Sequence, residues 1–316
     1  MADFVQTLET ALAVGSLYAL IALGYTMVYG ILKFINFAHG DVVVLGAWIS
    51  YTVAQWCLKR LAPADGPPLW LGPVVLACAM TVCGVLGFLI ERLAYKPLRR
   101  APRLNVLITA IGVSLLLQNV GQLDAVFGSS PVSMPALLPN PALVRMSFGG
   151  PGSSEVVIGL VDATIFVTAG LLMLALETIV YRTRLGAAMR AVSFNAETAA
   201  LMGINANRII SFTFVTGSVL AAAAGFLYAM KYPGLNQPAH TIWVLLGLKA
   251  FVSAVIGGIG NVRGALLGGF VIAFVEQFGA FYISSNYRDV YVFALLIIIL
   301  LIRPTGILGT PYREKV

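Results

Sequence analysis

Polar side chains interrupt the apolar runs of this chain at a few places, and chemistry is to be sought there. The stretch Tyr29-Gly30-Ile31-Leu32-Lys33-Phe34-Ile35-Asn36-Phe37-Ala38-His39-Gly40-Asp41 sets four polar groups between two apolar runs. Such groups are costly at membrane depth unless they line water or pair with one another. Lys33 and Asp41 have opposite charges and suit a pair, and Asn36 suits the cap of a following helix. Gln118, Asn119, Glu276 and Gln277 lie inside otherwise apolar runs. Hydrogen bonding between helices accounts for the amides, whereas an intramembrane carboxylate such as Glu276 points to function. Asn36, His39, Asp41, Asn119 and Glu276 are therefore the candidate lining of a polar pathway, with capping and packing as the plain alternative.

Gly257-Gly258-Ile259-Gly260-Asn261-Val262-Arg263-Gly264 is glycine-rich enough to suggest a phosphate cradle. It fails as one, because the third glycine of GxGxxG falls at Arg263 and no strand precedes it. No GxxxxGK[ST] occurs, so the chain has no Walker A site of its own. Gly260, Gly264 and Gly268 recur at i, i+4 and i+8, the spacing of a helix face that admits a neighbouring backbone. Arg263 beside them reads as an interface anchor, or else as a gate charge. No serine lies in a GxSxG elbow, and neither His39 nor His240 has an acid and a nucleophile on a shared helical face. Cys57, Cys78 and Cys83 show no metal-ligand spacing and read as small packing residues, and no metal site is expected.

The segment from Thr183 to Asn205 is too polar to cross a membrane. It suits one helix before Asn195 and a second after it. Asn195 serves as N-cap, Glu197 sits at the positive end of the helix dipole, and Gly203 takes the C′ position. A short helix of small residues can enter a groove on a soluble partner. On physical grounds alone an ordinary helix–turn–helix connection is the preferred reading.

These residues are positioned by a very apolar chain. Of 316 residues, 59% are hydrophobic and only 10% charged, far below the roughly 25% charged residues of soluble domains. The runs expected to cross as helices are 8–31, 41–58, 70–91, 104–127, 156–181, 209–230, 242–257, 265–283 and 289–302. The runs 242–257 and 289–302 are short and are candidate re-entrant segments, although the Tyr287 and Pro304 flanks could extend the second. A membrane barrel would alternate apolar and polar residues, so strands are not expected. The beginning of the chain is acidic (Asp3, Glu9), unlike a secretory signal, and the first run is expected to stay as a span. The fold class expected is all-α, a polytopic transmembrane bundle of about 8–10 spans in one domain over residues 1–316.

Alternating these spans brings residues 91–103, 182–208 and the tail beyond 302 to one side. That side holds twelve of the twenty lysines and arginines, which marks it as cytoplasmic. Lys59, Arg60, Arg145, Lys231 and Arg288 fall on the other side, and Lys33, Lys249 and Arg263 support neither. The expected arrangement has the N-terminus outside and the C-terminus inside, with about nine passes. The same clustering assigns the net charge of +7 to membrane orientation rather than to nucleic acid. Residues 128–155, rich in proline and glycine, make an irregular exterior loop that is either a linker or a partner contact. Two weak internal echoes stand out: Glu91–Lys96 against Glu177–Arg182, and the breaks at Asn36–Gly40 and Asn261–Gly264. Paired breaks in two halves point to a transport pathway, with turn chemistry as the alternative.

Five stretches carry a family resemblance: Leu17–Gly30, Ile35-Asn-Phe-Ala-His-Gly-Asp41, Arg190–Asn205, Ala254-Val-Ile-Gly-Gly-Ile-Gly-Asn261 and Arg303-Pro-Thr-Gly-Ile-Leu-Gly309. In this order, from about residue 8 onward, the chain resembles the LivH-type permeases of ATP-binding-cassette (ABC) importers for branched-chain amino acids. The resemblance implies a permease subunit and not an enzyme, in a bacterial inner membrane. It implies a second, LivM-like permease, two cytoplasmic ATPases that use ATP and magnesium, and a periplasmic protein delivering leucine, isoleucine or valine. This chain would bind no cofactor itself. Segment 183–208 then becomes the ATPase-docking element, with Gly186, Arg190, Asn195, Glu197, Met202 and Gly203 as its candidate residues, against the physical preference above. Urea is the alternative substrate, because related urea permeases share these motifs. Many of those carry a long extension before the first span, which these 316 residues do not show. A channel would need a continuous polar lining and a membrane enzyme a convergent nucleophile and base, and both are disfavoured.

Overall fold

The computed structural model describes residues 2–61, 66–99, 101–147 and 155–309. Eleven α-helices account for most of them. In chain order they are α1 (Ala2–Leu32), α2 (Ala38–Leu61), α3 (Leu71–Ile90), α4 (Arg103–Gly121), α5 (Leu160–Arg182), α6 (Arg184–Phe194), α7 (Ala196–Leu201), α8 (Ala206–Lys231), α9 (Thr241–Gly257), α10 (Val262–Tyr282) and α11 (Arg288–Ile302). Eight helical stretches are long and apolar enough to cross a membrane, and α9 is a shorter apolar helix. Each of the nine expected runs coincides with one of these helices.

Helix ends follow local chemistry. Asn205 starts α8 by accepting from the Arg208 amide at 3.2 Å, and Asn261 starts α10 by accepting from Arg263 and Gly264 at 3.1 and 3.3 Å. Both helices therefore begin about three residues before the apolar runs at 209 and 265. His240 starts α9, its ring accepting from the Ile242 amide. Helix α4 stops at Gly121, short of 127, because the Leu123 carbonyl gathers the amides of Val126, Phe127 and Gly128 into a tight turn. Beyond Ile90, α3 loosens into a π-helical turn (Glu91–Tyr95) and a 3-10 turn (Lys96–Leu98).

Strands, not expected from the sequence, occur at one end of the bundle. β1 (Val132–Ser133) pairs antiparallel with β4 (Gly234–Leu235), and β2 (Ala142–Ser147) pairs antiparallel with β3 (Glu155–Gly159). The segment 128–155, expected to be irregular, thus carries β1, β2 and the start of β3, and residues 148–154 lie outside those described. β-Branched residues drive the difference. Val156-Val157-Ile158 favour a strand over a helix start, and α5 begins only at Leu160.

Contacts at the two ends fix the helix directions. At the strand-bearing end, the Val157 amide donates to Gln6 of α1 at 2.9 Å, and the Trp48 and Trp243 indoles both donate to the Asn236 carbonyl. At the opposite end, Arg99 reaches Asn207, Arg263 reaches Glu177, and the Asn261 amide group donates to the Leu308 carbonyl at 2.9 Å. The nine apolar helices therefore alternate in direction, and Arg92, Arg99, Arg182, Arg184, Arg190, Arg208, Arg263 and Arg303 gather at one end.

Helix α1 is the central post, almost wholly enclosed by α8, α9 and α10. Helices α4, α5 and α11 are peripheral and leave large apolar side chains uncovered, among them Leu116, Leu171 and Leu301. In water such faces would be patches too large for a soluble monomer, and in a bilayer they meet a matching solvent. The interior is tight where glycines lie. A Cβ on Gly264 would run into the Gly257 carbonyl, and one on Gly268 into the Ser253 carbonyl, so α9 and α10 meet backbone to backbone. Gly260 is not on that face. It lies in the turn before α10 at φ 95°, beside Gly30. The third residue of the close-packed α10 surface is Gly269, which meets Ala19 of α1.

Candidate functional site

Three places in the bundle carry groups able to act: the arginine-rich end, a charged cavity, and a groove on the other side of α9. At the arginine-rich end, α6 and α7 form the helix pair expected from the sequence. The Asn195 side chain accepts from the Glu197 and Thr198 amides, both at 2.9 Å. The pair ends with the Gly203 amide donating to Ala200 and the Ile204 amide to Ala199, both at 3.0 Å, with Gly203 at φ 82°. This is a Schellman closure, which needs a residue tolerant of positive φ at C′. Gly186 lies against the Val180 carbonyl with no room for a Cβ, and Arg190 donates to the same carbonyl. These two residues hold α6 to the end of α5. Phe194 is 95% exposed, Leu201 87% and Met202 79%. Of the six residues singled out in this segment, Gly186, Arg190, Asn195 and Gly203 build the element, while Glu197 and Met202 sit on its open side. Phe194 and Leu201 went unremarked, although large apolar residues within a polar segment were the available signal.

This element is wired to the bundle. Directly after it, Asn207 and Ser211 stand in the first turns of α8. The Ser211 hydroxyl donates to Glu91 Oε2 at 2.5 Å, and Arg99 bridges Glu91 Oε1 to Asn207. Glu91 is fully buried in the π-helical turn below α3. Across the same end, Arg263 gives two hydrogen bonds, at 3.0 and 2.8 Å, to Glu177 Oε1 and lies over the Tyr181 ring. Both glutamates of the weak echo hold an arginine, but differently: Glu91 pairs with Arg99 eight residues on, and Glu177 with the distant Arg263 of α10. Gly30, near the end of α1, lies beside Gly260 in the turn before α10, whereas Gly40 of the first break lies against Gly247 of α9.

The charged cavity lies toward the strand-bearing end, with a volume of about 280 Å³ between α1, α8, α9, α10 and α11. Glu276 accepts from the Tyr18 hydroxyl at 2.7 Å and from Lys249 at 2.9 Å. Lys249 also meets Asp289 at 2.6 Å, and Arg288 stands 3.9 Å from Glu276. Lys249, which counts for neither side because it falls inside the apolar run 242–257, is buried in this cluster.

The groove on the other face of α9 has about 200 Å³ and is lined by Tyr25, Asp41, Ser114, Gln118, Gly247 and Phe251, among others. Here the Gln118 amide donates to Asp41 at 2.9 Å, joining α4 to α2. Asp41 therefore does not pair with Lys33. Lys33 stands at φ 56° in the break after α1, where partial burial pulls its ammonium pKa down.

The five candidate pathway residues do not converge. Asp41 faces this groove and Glu276 the charged cavity, with α9 as the wall between them. Asn36 accepts from the buried Tyr95 hydroxyl at 2.6 Å instead of capping α2 with its side chain. His39 is buried against the Ile21 carbonyl at 3.2 Å and fills the space beside Gly24. Asn119 is exposed on α4 and bonds its own helix at Leu115. Among the described residues no cluster of histidine, cysteine and carboxylates could hold a metal.

Residues 7–300 match the family described as branched-chain amino acid transport system / permease component. The high-affinity branched-chain amino acid transport system permease protein BraD of Pseudomonas aeruginosa is 44% identical over 99% of this chain and 98% of its own length. The corresponding permease proteins LivH of Salmonella typhimurium and of Escherichia coli are each 41% identical, over 99% of this chain and 98% of their own. No solved structure matches the chain.

Proposed function

This chain belongs to the family of branched-chain amino acid permease components, and on that premise we propose that it carries leucine, isoleucine and valine across a bacterial inner membrane as one subunit of an ABC importer. It is a multi-pass membrane protein. The family's members reported above are transport subunits rather than enzymes, and their names favour branched-chain amino acids over urea.

The partners are a second, LivM-like permease, two cytoplasmic ATPases and a periplasmic binding protein. ATP and magnesium act on the ATPases, and this chain holds no cofactor. The arginine-rich end faces the cytoplasm and with it the C-terminus, while the strand-bearing end faces the binding protein. Segment 183–208 docks an ATPase. The observation that carries this reading is that Phe194, at the end of α6, and Leu201 and Met202, at the end of α7, are each left in the open on a capped helix pair among basic residues. A burial-ready apolar anchor on a preorganised element is what a groove-binding partner needs.

Movement of the docked ATPase would reach the membrane through Asn207 and Ser211 on α8 to Glu91 and Arg99 below α3. Alternating access follows if that displacement tilts α8 and α3 together against the α1–α9–α10 group, with the pathway between the two permeases. Purification through a tag on this chain tests the assembly. The second permease and two ATPases should come with it in fixed ratio, and recovery of the chain alone in a form that still imports leucine would refute the reading.

A further inference from the structure

We propose that the cavity between α1, α8, α9, α10 and α11 is a binding site for the zwitterion of an aliphatic amino acid, and this rests on the import reading above. The cavity presents two cations, Lys249 and Arg288, and two carboxylates, Glu276 and Asp289. They are already paired, Lys249 with both carboxylates and Arg288 beside Glu276. The charges sum to zero, and a zwitterion also brings zero. An entering amino acid can therefore exchange partners without leaving a net charge stranded in a low-dielectric setting. Its carboxylate takes Lys249 and Arg288, and its ammonium takes Glu276 and Asp289.

Two features make the site more than an internal ion cluster. Glu276 and Lys249 are deeply buried, and Tyr18 holds the second oxygen of Glu276, so the inner half is preorganised. Asp289 and Arg288 have side chains 46% and 44% exposed, so the outer half forms an open rim facing the strand-bearing end. The lining also holds apolar Leu17 of α1 and Ile242, Leu245 and Leu246 of α9, beside the rings of Tyr228 and Tyr232, which suits a branched aliphatic side chain. Specificity would then reside partly in this subunit rather than only in the external binding protein.

The test uses the assembled transporter in lipid nanodiscs without binding protein, with binding of tritiated leucine as the readout. Two competitors each lack one charge: 4-methylpentanoate has no ammonium and 3-methylbutylamine no carboxylate. Leucine should bind saturably and neither competitor should displace it well. Asp289→Asn and Glu276→Gln should each weaken leucine roughly ten- to a hundredfold, as for loss of a charged hydrogen-bond partner. Asp289→Asn should also narrow the gap between leucine and 4-methylpentanoate, a change of selectivity that a general loosening would not produce. Should Glu276→Gln fail to assemble, the rim variant and the wild-type competition decide. If the wild type imports leucine with ATP but shows no direct binding, or binds it equally well in the Asp289→Asn variant, the site is refuted and the import reading stands. If the complete transporter imports no leucine at all, the import reading itself has failed.

Discussion

Ser211 donates its hydroxyl to Glu91 at 2.5 Å, tying the first turns of α8 to the π-helical turn that ends α3. The same carboxylate holds Arg99, which in turn reaches Asn207. A fully buried acid thus sits where displacement of the α6–α7 pair would pull on two spans at once.

Removing that acid should cost stability. Glu91→Leu leaves Arg99 without its charge partner, at about 3 kcal/mol, the lower end for a broken buried pair because Arg99 keeps some contact with water. The denaturation midpoint in detergent should fall clearly. Glu91→Leu combined with Arg99→Met removes both charges and should recover part of the loss. No recovery would mean that the pair is not what the carboxylate supports.

The exposed apolar residues of the α6–α7 pair should behave in the opposite way. Phe194→Asp and Met202→Asp replace side chains that touch little of this chain, so its own melting should barely move. Loss of such an anchor from an interface costs about 2 kcal/mol, roughly 30-fold in affinity. Titration of purified ATPase onto the permease pair measures it. Unchanged affinity would remove these residues from the docking surface.

Close packing of α9 on α10 gives a third outcome. Gly268→Val places side-chain atoms where the Ser253 carbonyl lies, and overpacking of this kind costs about 1–3 kcal/mol or more. Gly170→Ala, with nothing within 4 Å of the added carbon, should be tolerated. Comparing thermal stability of the two in detergent checks the contrast, and equal losses would contradict it.

Much of this was legible in the sequence, and what was missed has a physical reason. The nine apolar runs were found because lipid demands long continuous apolar stretches. Asn195, Glu197 and Gly203 were found because caps are local chemistry. Lys249 was opaque, since its partners Glu276 and Asp289 are brought to it by folding across α9, α10 and α11. For the same reason Lys33 and Asp41 suggested a pair that the chain does not make, Gln118 of α4 having taken the carboxylate. The strand at 155–159 escaped because apolar β-branched runs read equally well as the start of a span.

Orientation is checked by labelling. In a chain with Cys57, Cys78 and Cys83 replaced by alanine, Leu143→Cys should react with a membrane-impermeant maleimide added to spheroplasts. Ala196→Cys should react only in inverted vesicles, and less once ATPase is bound. The reverse pattern would turn the whole arrangement over.

The most direct test is leucine uptake into proteoliposomes containing both permeases and both ATPases, with binding protein outside and ATP inside. Import should require ATP, stop when hydrolysis is blocked, and fall steeply with Phe194→Asp. Uptake at the same rate without nucleotide would mean that the chain is a channel and not a coupled permease.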